Sequence, residues 1–163
     1  MKRDAFAGVL ACVLGLSALG FFGWRYVAAR GDHICLACSR PVHGHTNTIA
    51  VIDGKRGHYC CPACALSEHQ QASKPVQIVQ LTDYLEGTAL TPAGTYLVRN
   101  SDVNPCARHE AALTPDKQPM HAHFDRCSPS LLAFGDRKAA EVFASEHGGQ
   151  VLPFAEMASQ FQR

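Results

Sequence analysis

Residues 46–81, TNTIAVIDGKRGHYCCPACALSEHQQASKPVQIVQL, contain the clearest signals of secondary structure in the chain. The opening TNTIAVI alternates and is rich in β-branched side chains, and Asp53-Gly54 is a typical hairpin turn, so two antiparallel strands are predicted. Pro62 is tolerated in the first turn of a helix, and we predict a helix over 61–72. The closing VQIVQL alternates again. The segment therefore predicts the element order β-β-α-β.

The C-terminal part of the chain repeats this order. Residues 95–99 and 130–134 have strand character, and a long insertion over 100–128 separates them. Asp136 can cap the helix that follows, and Gly148 can end it. A last strand and a short helix complete the chain. Two stretches with the same element order predict an α+β fold built from two related halves.

An apolar segment without charged side chains precedes both halves. Residues 5–24 contain one polar side chain, Ser17, and about twenty helical residues span the roughly 30 Å of a bilayer core. Basic residues before the segment favour a cytoplasmic N-terminus. We therefore predict a single-pass helix in the inner (cytoplasmic) membrane, with the C-terminal domain in the periplasm. A cleaved signal peptide that ends near Val27-Ala28-Ala29 is the alternative.

The chain thus divides into three predicted parts. Residues 1–29 form the membrane anchor or signal segment, residues 30–90 the Cys-rich half, and residues 91–163 the second half with its insertion. Gly87 and Pro92 break regular structure close to the boundary between the two halves.

The composition excludes several classes of protein. The 163 residues include 15 Lys+Arg against 14 Asp+Glu, so the chain lacks the basic excess of a nucleic-acid binder. The sequence contains no phosphate-binding loop, zinc-protease or serine-hydrolase motif, which argues against an enzyme. The 8 Cys and 9 His are many for this length and indicate metal binding.

Five cysteines form the first candidate metal site. One pair precedes the predicted hairpin and three cysteines lie where the return strand meets the helix, so the hairpin brings the two sets together. Neighbours on a strand point to opposite faces, so of Cys60 and Cys61 we expect one to be a ligand and the other to be spare or exchangeable. Thiolates favour Cu(I) or zinc. A structural zinc site and disulfides remain alternatives. The candidate ligands are Cys35, Cys38, Cys60, Cys61 and Cys64.

The insertion carries the second candidate site. Its stretch PMHAHFDRC, over 119–127, combines a thioether, two imidazoles and a thiol. Alternate side chains of an extended chain share a face, so the two imidazoles would point the same way. This set of donors suits Cu(I). An exposed His-rich loop with a Cys106–Cys127 disulfide is the alternative. The candidate ligands here are Met120, His121, His123 and Cys127.

The cysteine spacing carries a first family resemblance. Residues 35–64 resemble the TRASH and YHS group of small heavy-metal domains. In that group an early cysteine and a hairpin are followed by an aromatic residue and a Cys-x3-Cys pair. The matching residues are Cys38, Tyr59, Cys60 and Cys64.

The C-terminal half carries a second resemblance. Its stretches SLLAF at 130–134 and HGGQVLPF at 147–154 resemble the NosL family, which comprises accessory copper chaperones for nitrous oxide reductase. Cys35-x-x-Cys38 matches the cysteine pair with which that family often begins. Arg40 stands where the family has Met, so that soft ligand is missing.

The NosL resemblance implies both a fold and a function. The fold has two β-β-α-β halves and is similar to that of organomercurial lyase. The function is that of an anchored, extracytoplasmic, non-catalytic Cu(I) chaperone, which hands copper to a metalloenzyme or to another metal carrier. Zinc is the second candidate metal. The alternatives are an anchored interaction domain with a structural zinc site and an organomercurial-lyase-like or thiol-redox enzyme.

Overall fold

The computed structural model describes residues 13, 15–26, 34–106, 112–113, 115, 119–120 and 125–161. The chain forms two compact units, residues 1–33 and residues 34–163. In the first unit, residues 15–26 are helical (α1). Of the helices described, none combines the length and the apolar character needed to cross a membrane. Most of the predicted apolar segment before residue 15 lies outside the described residues, and the predicted anchor therefore stays a prediction.

The first sheet of the second unit is antiparallel throughout and has the strand order β2-β1-β3-β4. Asp53 and Gly54, with φ of 54° and 74°, form the turn between its first two strands. Positive φ at both positions suits a tight hairpin, which the Asp-Gly pair tolerates. The elements are β1 (Thr48–Ile52), β2 (Lys55–Tyr59), α2 (Pro62–Ala72), β3 (Val76–Thr82) and β4 (Ala89–Leu90).

The remaining strands form a three-stranded antiparallel sheet, of order β8-β5-β9, and a separate two-stranded hairpin of β6 and β7. The hairpin lies within the long insertion, where no strand was predicted. Apart from the two-residue strand β4, the insertion hairpin and the last helix, the elements follow the order β-β-α-β twice, and the predicted α+β class is confirmed. The elements are β5 (Tyr96–Arg99), β6 (Ala112–Leu113), β7 (Pro119–Met120), β8 (Leu131–Phe134), α3 (Arg137–His147), β9 (Gln150–Pro153) and α4 (Phe154–Phe161).

Helix α3 begins and ends at the residues that the sequence indicates. The Asp136 carboxylate accepts a hydrogen bond from the backbone N–H of Ala139 at 2.8 Å and so satisfies one of the free donors at the helix start. Gly148, with φ of 69°, follows the last helical turn. At Gly149, with φ of 100°, a Cβ atom would lie 2.8 Å from the carbonyl oxygen of Arg99, so this close approach requires glycine.

The two sheets share one apolar core. A parallel bridge between Asp83 and Ala133 joins the end of β3 to β8. Leu81 from the first sheet, Leu97 from the second and Met157 from α4 are all fully buried in this core. The same core contains the buried cysteines of the first half. The predicted boundary between residues 90 and 91 stays a prediction, since residues 34–163 form one compact unit.

Candidate metal centre

The first two cysteines lie in a tight turn. The backbone N–H of Cys35 donates to the carbonyl of Arg40 at 2.8 Å, and Ser39, with φ of 57°, donates to the carbonyl of Cys35 at 2.9 Å. The N–H of Leu36 donates to the carbonyl of His58 at 3.1 Å. This last bond holds the turn against strand β2, next to the place where the strand ends.

Three further cysteines lie at the corner between β2 and α2. Cys60, Cys61 and Cys64 are all buried, and the sulfurs of Cys60 and Cys61 are 3.9 Å apart. The expectation that only one of these two neighbours points inward was therefore wrong. Strand β2 ends at Tyr59, and Cys61 is already the N-cap of α2, so the alternation of a regular strand does not extend to them.

A sixth cysteine reaches the same place from the far end of the insertion. The Sγ atom of Cys127 lies 3.6 Å from that of Cys60 and 3.4 Å from that of Cys64. Its backbone is held from two sides, because its N–H donates to the Asp125 carboxylate at 2.8 Å and its carbonyl accepts from the Asn104 amide at 2.8 Å. Cys127 is thus fixed against the first candidate site.

These six residues, named here the thiol cluster, form two overlapping groups of four. Within each group the sulfur atoms all lie within 4.8 Å of one another. The first group adds the turn cysteines to Cys60 and Cys64, and the second adds Cys61 and Cys127 to the same two residues. The members of the cluster are Cys35, Cys38, Cys60, Cys61, Cys64 and Cys127.

Cys38 is the least buried member of the thiol cluster. Its side chain is half-buried, whereas the other five are buried, and its sulfur lies 3.5 Å from that of Cys60. Burial raises the pKa of its thiol. Cys38 is therefore the member of the thiol cluster with the greatest contact with solvent.

Two thiols ionise easily. Hydrogen bonds from the thiols of Cys60 and Cys64 lower the pKa of Cys35 to about 2. Hydrogen bonds from neighbouring thiols, that of Cys106 first, hold the pKa of Cys127 far below its usual range. A thiolate surrounded by S–H donors is stabilised in the same way as a carboxylate surrounded by N–H groups.

The donating thiols keep their protons. Hydrogen bonding to Cys106 raises the pKa of Cys60 and Cys61, and hydrogen bonding to Cys127 raises the pKa of Cys64. Each added negative charge in the cluster opposes the next ionisation. A bound cation removes this opposition, because it replaces the protons as the partner of the thiolates.

One permanent positive charge lies at the edge of the cluster. The two terminal nitrogens of Arg40 donate to the two carboxylate oxygens of Asp125 at 2.8 and 2.7 Å. The first of them also donates to the carbonyl of Cys106 at 2.6 Å and lies 3.3 Å from the Cys127 sulfur. The hydrogen bonds to Asp125 raise the pKa of Arg40, so its charge persists at any relevant pH.

The remaining candidate ligands have different outcomes. Met120 lies on β7, where it pairs with Ala112 across the hairpin, and the position of its side chain is outside the description. His121 and His123 lie outside the described residues. The thioether and imidazole ligands of the second candidate site therefore stay predictions. Its thiol, Cys127, lies in the thiol cluster instead of apart from it.

Cys106 is a neighbour of the cluster that the sequence-based list of ligands omits. It is buried, and its thiol donates to the carbonyl of Cys60 at 3.3 Å. The alternative stated for the insertion pairs Cys106 with Cys127 in a disulfide. All seven cysteines that the structure describes are free thiols, which does not support the disulfide alternative.

A search of curated proteins finds a distant relative of the chain. No protein-family model matches the chain. The HTH-type transcriptional repressor CutR of Bacillus subtilis (strain 168) is 24% identical over 124 residues, which are 76% of this chain and 55% of the repressor. The chain therefore spans about half the length of this curated relative.

A solved structure covers most of the chain. The copper chaperone NosL from Shewanella denitrificans superposes with a TM-score of 0.52 and 14% sequence identity, over 77% of this chain and 90% of the chaperone. The chain has a NosL-like fold. The resemblance noted in the sequence is thus supported at the level of the fold, and the cysteine cluster gives this NosL-like fold a place where a metal can bind.

Proposed function

We propose that the chain is a membrane-anchored, extracytoplasmic Cu(I) chaperone that delivers copper to a metalloenzyme or to another metal carrier. The observation that carries this proposal is the thiol cluster, in which six free cysteines converge on two four-sulfur groups. Soft thiolate ligands select Cu(I), zinc and iron–sulfur chemistry over hard cations. A buried set of free thiols, with one half-buried member at its edge, suits a cargo that is passed on by thiolate exchange.

The surroundings of the cluster support cargo binding over catalysis. The carboxylate that contacts the backbone of Cys127, that of Asp125, is fully engaged by the Arg40 guanidinium and by the N–H of Cys127. It is therefore poorly placed to act as the proton donor that a thiol-based lyase needs beside its cysteines. The thiols themselves make hydrogen bonds chiefly with one another.

The test is a Cu(I) competition experiment. The full chain, purified without oxygen, is titrated with Cu(I) against a chromogenic Cu(I) chelator, and the metal content is measured before and after. We expect the chain to take Cu(I) from the chelator and the Cys60→Ser/Cys64→Ser variant to lose this ability by at least ten-fold. The matched control is Ser67→Ala, which alters the same helix without removing a thiol. Failure of the chain to compete for Cu(I) would overturn the proposal.

A structural zinc site is the second candidate, and one observation favours it. Either four-sulfur group alone has the all-cysteine composition of a closed structural zinc site. This alternative predicts one zinc ion per chain that Cu(I) does not displace. It also predicts loss of the far-ultraviolet circular dichroism of the fold when zinc is removed, since structural zinc contributes to folding directly.

A further inference from the structure

The two four-sulfur groups share an edge. Cys60 and Cys64 belong to both groups, and their sulfurs are 3.6 Å apart. The pair Cys35 and Cys38 lies on one side of this edge, and the pair Cys61 and Cys127 lies on the other. A zinc ion accepts four sulfur ligands and Cu(I) accepts no more than four, so one ion leaves at least two of the six sulfurs without a metal.

The distances suit ligands that are shared between ions. With metal–sulfur bonds of about 2.3 Å, four sulfurs around one ion lie close to 3.8 Å from one another. Five sulfur pairs in the cluster lie 3.4 to 3.9 Å apart. Two ions on opposite sides of the 3.6 Å edge would be about 3 Å apart at this bond length. A thiolate has enough lone pairs to bind two ions at once.

The charges favour sharing as well. A buried thiolate is stabilised only when a cation or a hydrogen-bond donor compensates it. When two sulfurs bind both ions, the two cations need six thiolates in total, whereas two separate four-sulfur sites would need eight. Arg40 supplies a further positive charge at the Cys127 end, 3.3 Å from that sulfur. The turn end carries the half-buried Cys38, where contact with solvent is available.

We propose that the thiol cluster binds at least two soft metal ions per chain, with Cys60 and Cys64 as bridging ligands. Cys35 and Cys38 are terminal ligands of one ion, and Cys61 and Cys127 are terminal ligands of the other. This inference rests on the proposed function, because it takes Cu(I) as the ion that the cluster receives. The proposed cargo is therefore a small thiolate-bridged metal cluster instead of a single ion.

The number of bound ions tests the inference directly. The full chain, reduced and free of oxygen, is titrated with Cu(I), and native mass spectrometry counts the ions retained in the presence of a competing chelator. We expect two or more per chain, taken up together. X-ray absorption at the copper edge should show a copper neighbour at about 3 Å beside the sulfur shell. Retention of one ion, without a copper neighbour, would overturn the inference and leave the chaperone proposal standing. Retention of no copper would overturn both.

Paired substitutions separate bridging from terminal ligands. Cys61→Ser/Cys127→Ser removes one terminal pair and should leave one ion, whereas Cys60→Ser/Cys64→Ser removes both bridges and should leave none. Ser67→Ala is the matched control, because it removes only a hydroxyl that donates to the Cys64 carbonyl and leaves every thiol in place, and it should retain the full number. Circular dichroism verifies the fold of each variant. Equal loss of ions in the two double variants would contradict the assignment of bridges. If either variant fails to fold, the number of ions that the wild-type chain retains still tests whether the cluster binds more than one ion.

Discussion

Arg40 places a fixed positive charge beside the thiol cluster. The NosL resemblance places Met at this position, and the sequence alone shows only that a sulfur ligand is missing. In the structure the guanidinium binds both oxygens of Asp125, and Asp125 in turn accepts the N–H of Cys127. Arg40 therefore positions Cys127 through Asp125 and also faces its sulfur. The Arg40–Asp125 ion pair thus helps to hold one thiol of the cluster in place.

The first prediction concerns this ion pair. Arg40→Met should lower the free energy of unfolding of the metal-free chain by about 1–3 kcal/mol, because it leaves a largely buried carboxylate without its partner. The side chains of Arg40 and Asp125 are only 18% and 20% exposed. Urea denaturation of the reduced protein measures the change.

The matched control for Arg40→Met is Arg137→Met. Its ion pair with Glu141 has the same short distance, 2.8 Å, but the two side chains are 69% and 52% exposed. Exposed pairs contribute little, so the control should change stability by less than about 0.5 kcal/mol. If the two substitutions have the same effect, the Arg40 pair does not hold the site together.

At the scale of single elements, local signals predict the structure well. The Asp53-Gly54 turn, Pro62 in the first turn of α2 and the Asp136 cap of α3 all lie where the sequence indicates. Each signal depends on residues within four positions along the chain, and such short-range effects are the same in any fold.

The second prediction tests one of these local signals. Asp136→Ala should lower the free energy of unfolding by about 1 kcal/mol, since the Ala139 N–H loses its acceptor. Asp136→Asn keeps a side-chain oxygen at the same place and caps helices equally well, so it should remain close to the wild type. Chemical denaturation of both variants gives the comparison. Equal stability of Asp136→Ala and Asp136→Asn would show that the cap contributes nothing measurable.

The composition of the site could be predicted only in part from the sequence. The convergence of Cys35, Cys38, Cys60 and Cys64 follows from a hairpin and its turn, which are local. The position of Cys127 depends on the path of the insertion over 100–128 and on the ion pair between Asp125 and Arg40. Neither feature leaves a periodic signal in the sequence. The inward position of Cys61 depends on where β2 stops. These features are set by tertiary contacts, which the pattern of the chain does not encode locally.

The thiol cluster connects parts of the chain that are far apart in sequence. The turn cysteines, the corner of β2 and α2, and the end of the insertion all contribute sulfurs to it. These sulfurs belong to the same core as Leu97 and Met157 of the second half. An ion that binds across the cluster therefore ties both halves together, and its binding free energy adds to the stability of the shared core.

The last prediction follows from this coupling. Free Cu(I) at about a thousand times its dissociation constant should raise the free energy of unfolding by about 4 kcal/mol, less whatever the unfolded chain binds. Cu(I) must displace protons from Cys38, Cys60, Cys61 and Cys64, whose pKa values are raised in the folded chain. Protons therefore compete with copper at every pH below these raised values, so at a fixed free Cu(I) concentration the gain in stability should shrink steadily as the pH falls. Denaturation with and without Cu(I) at several pH values measures this gain.

The Cys60→Ser/Cys64→Ser variant serves as the control and should gain little at any pH. A gain of equal size in that variant would mean that copper binds outside the cluster and does not join the two halves.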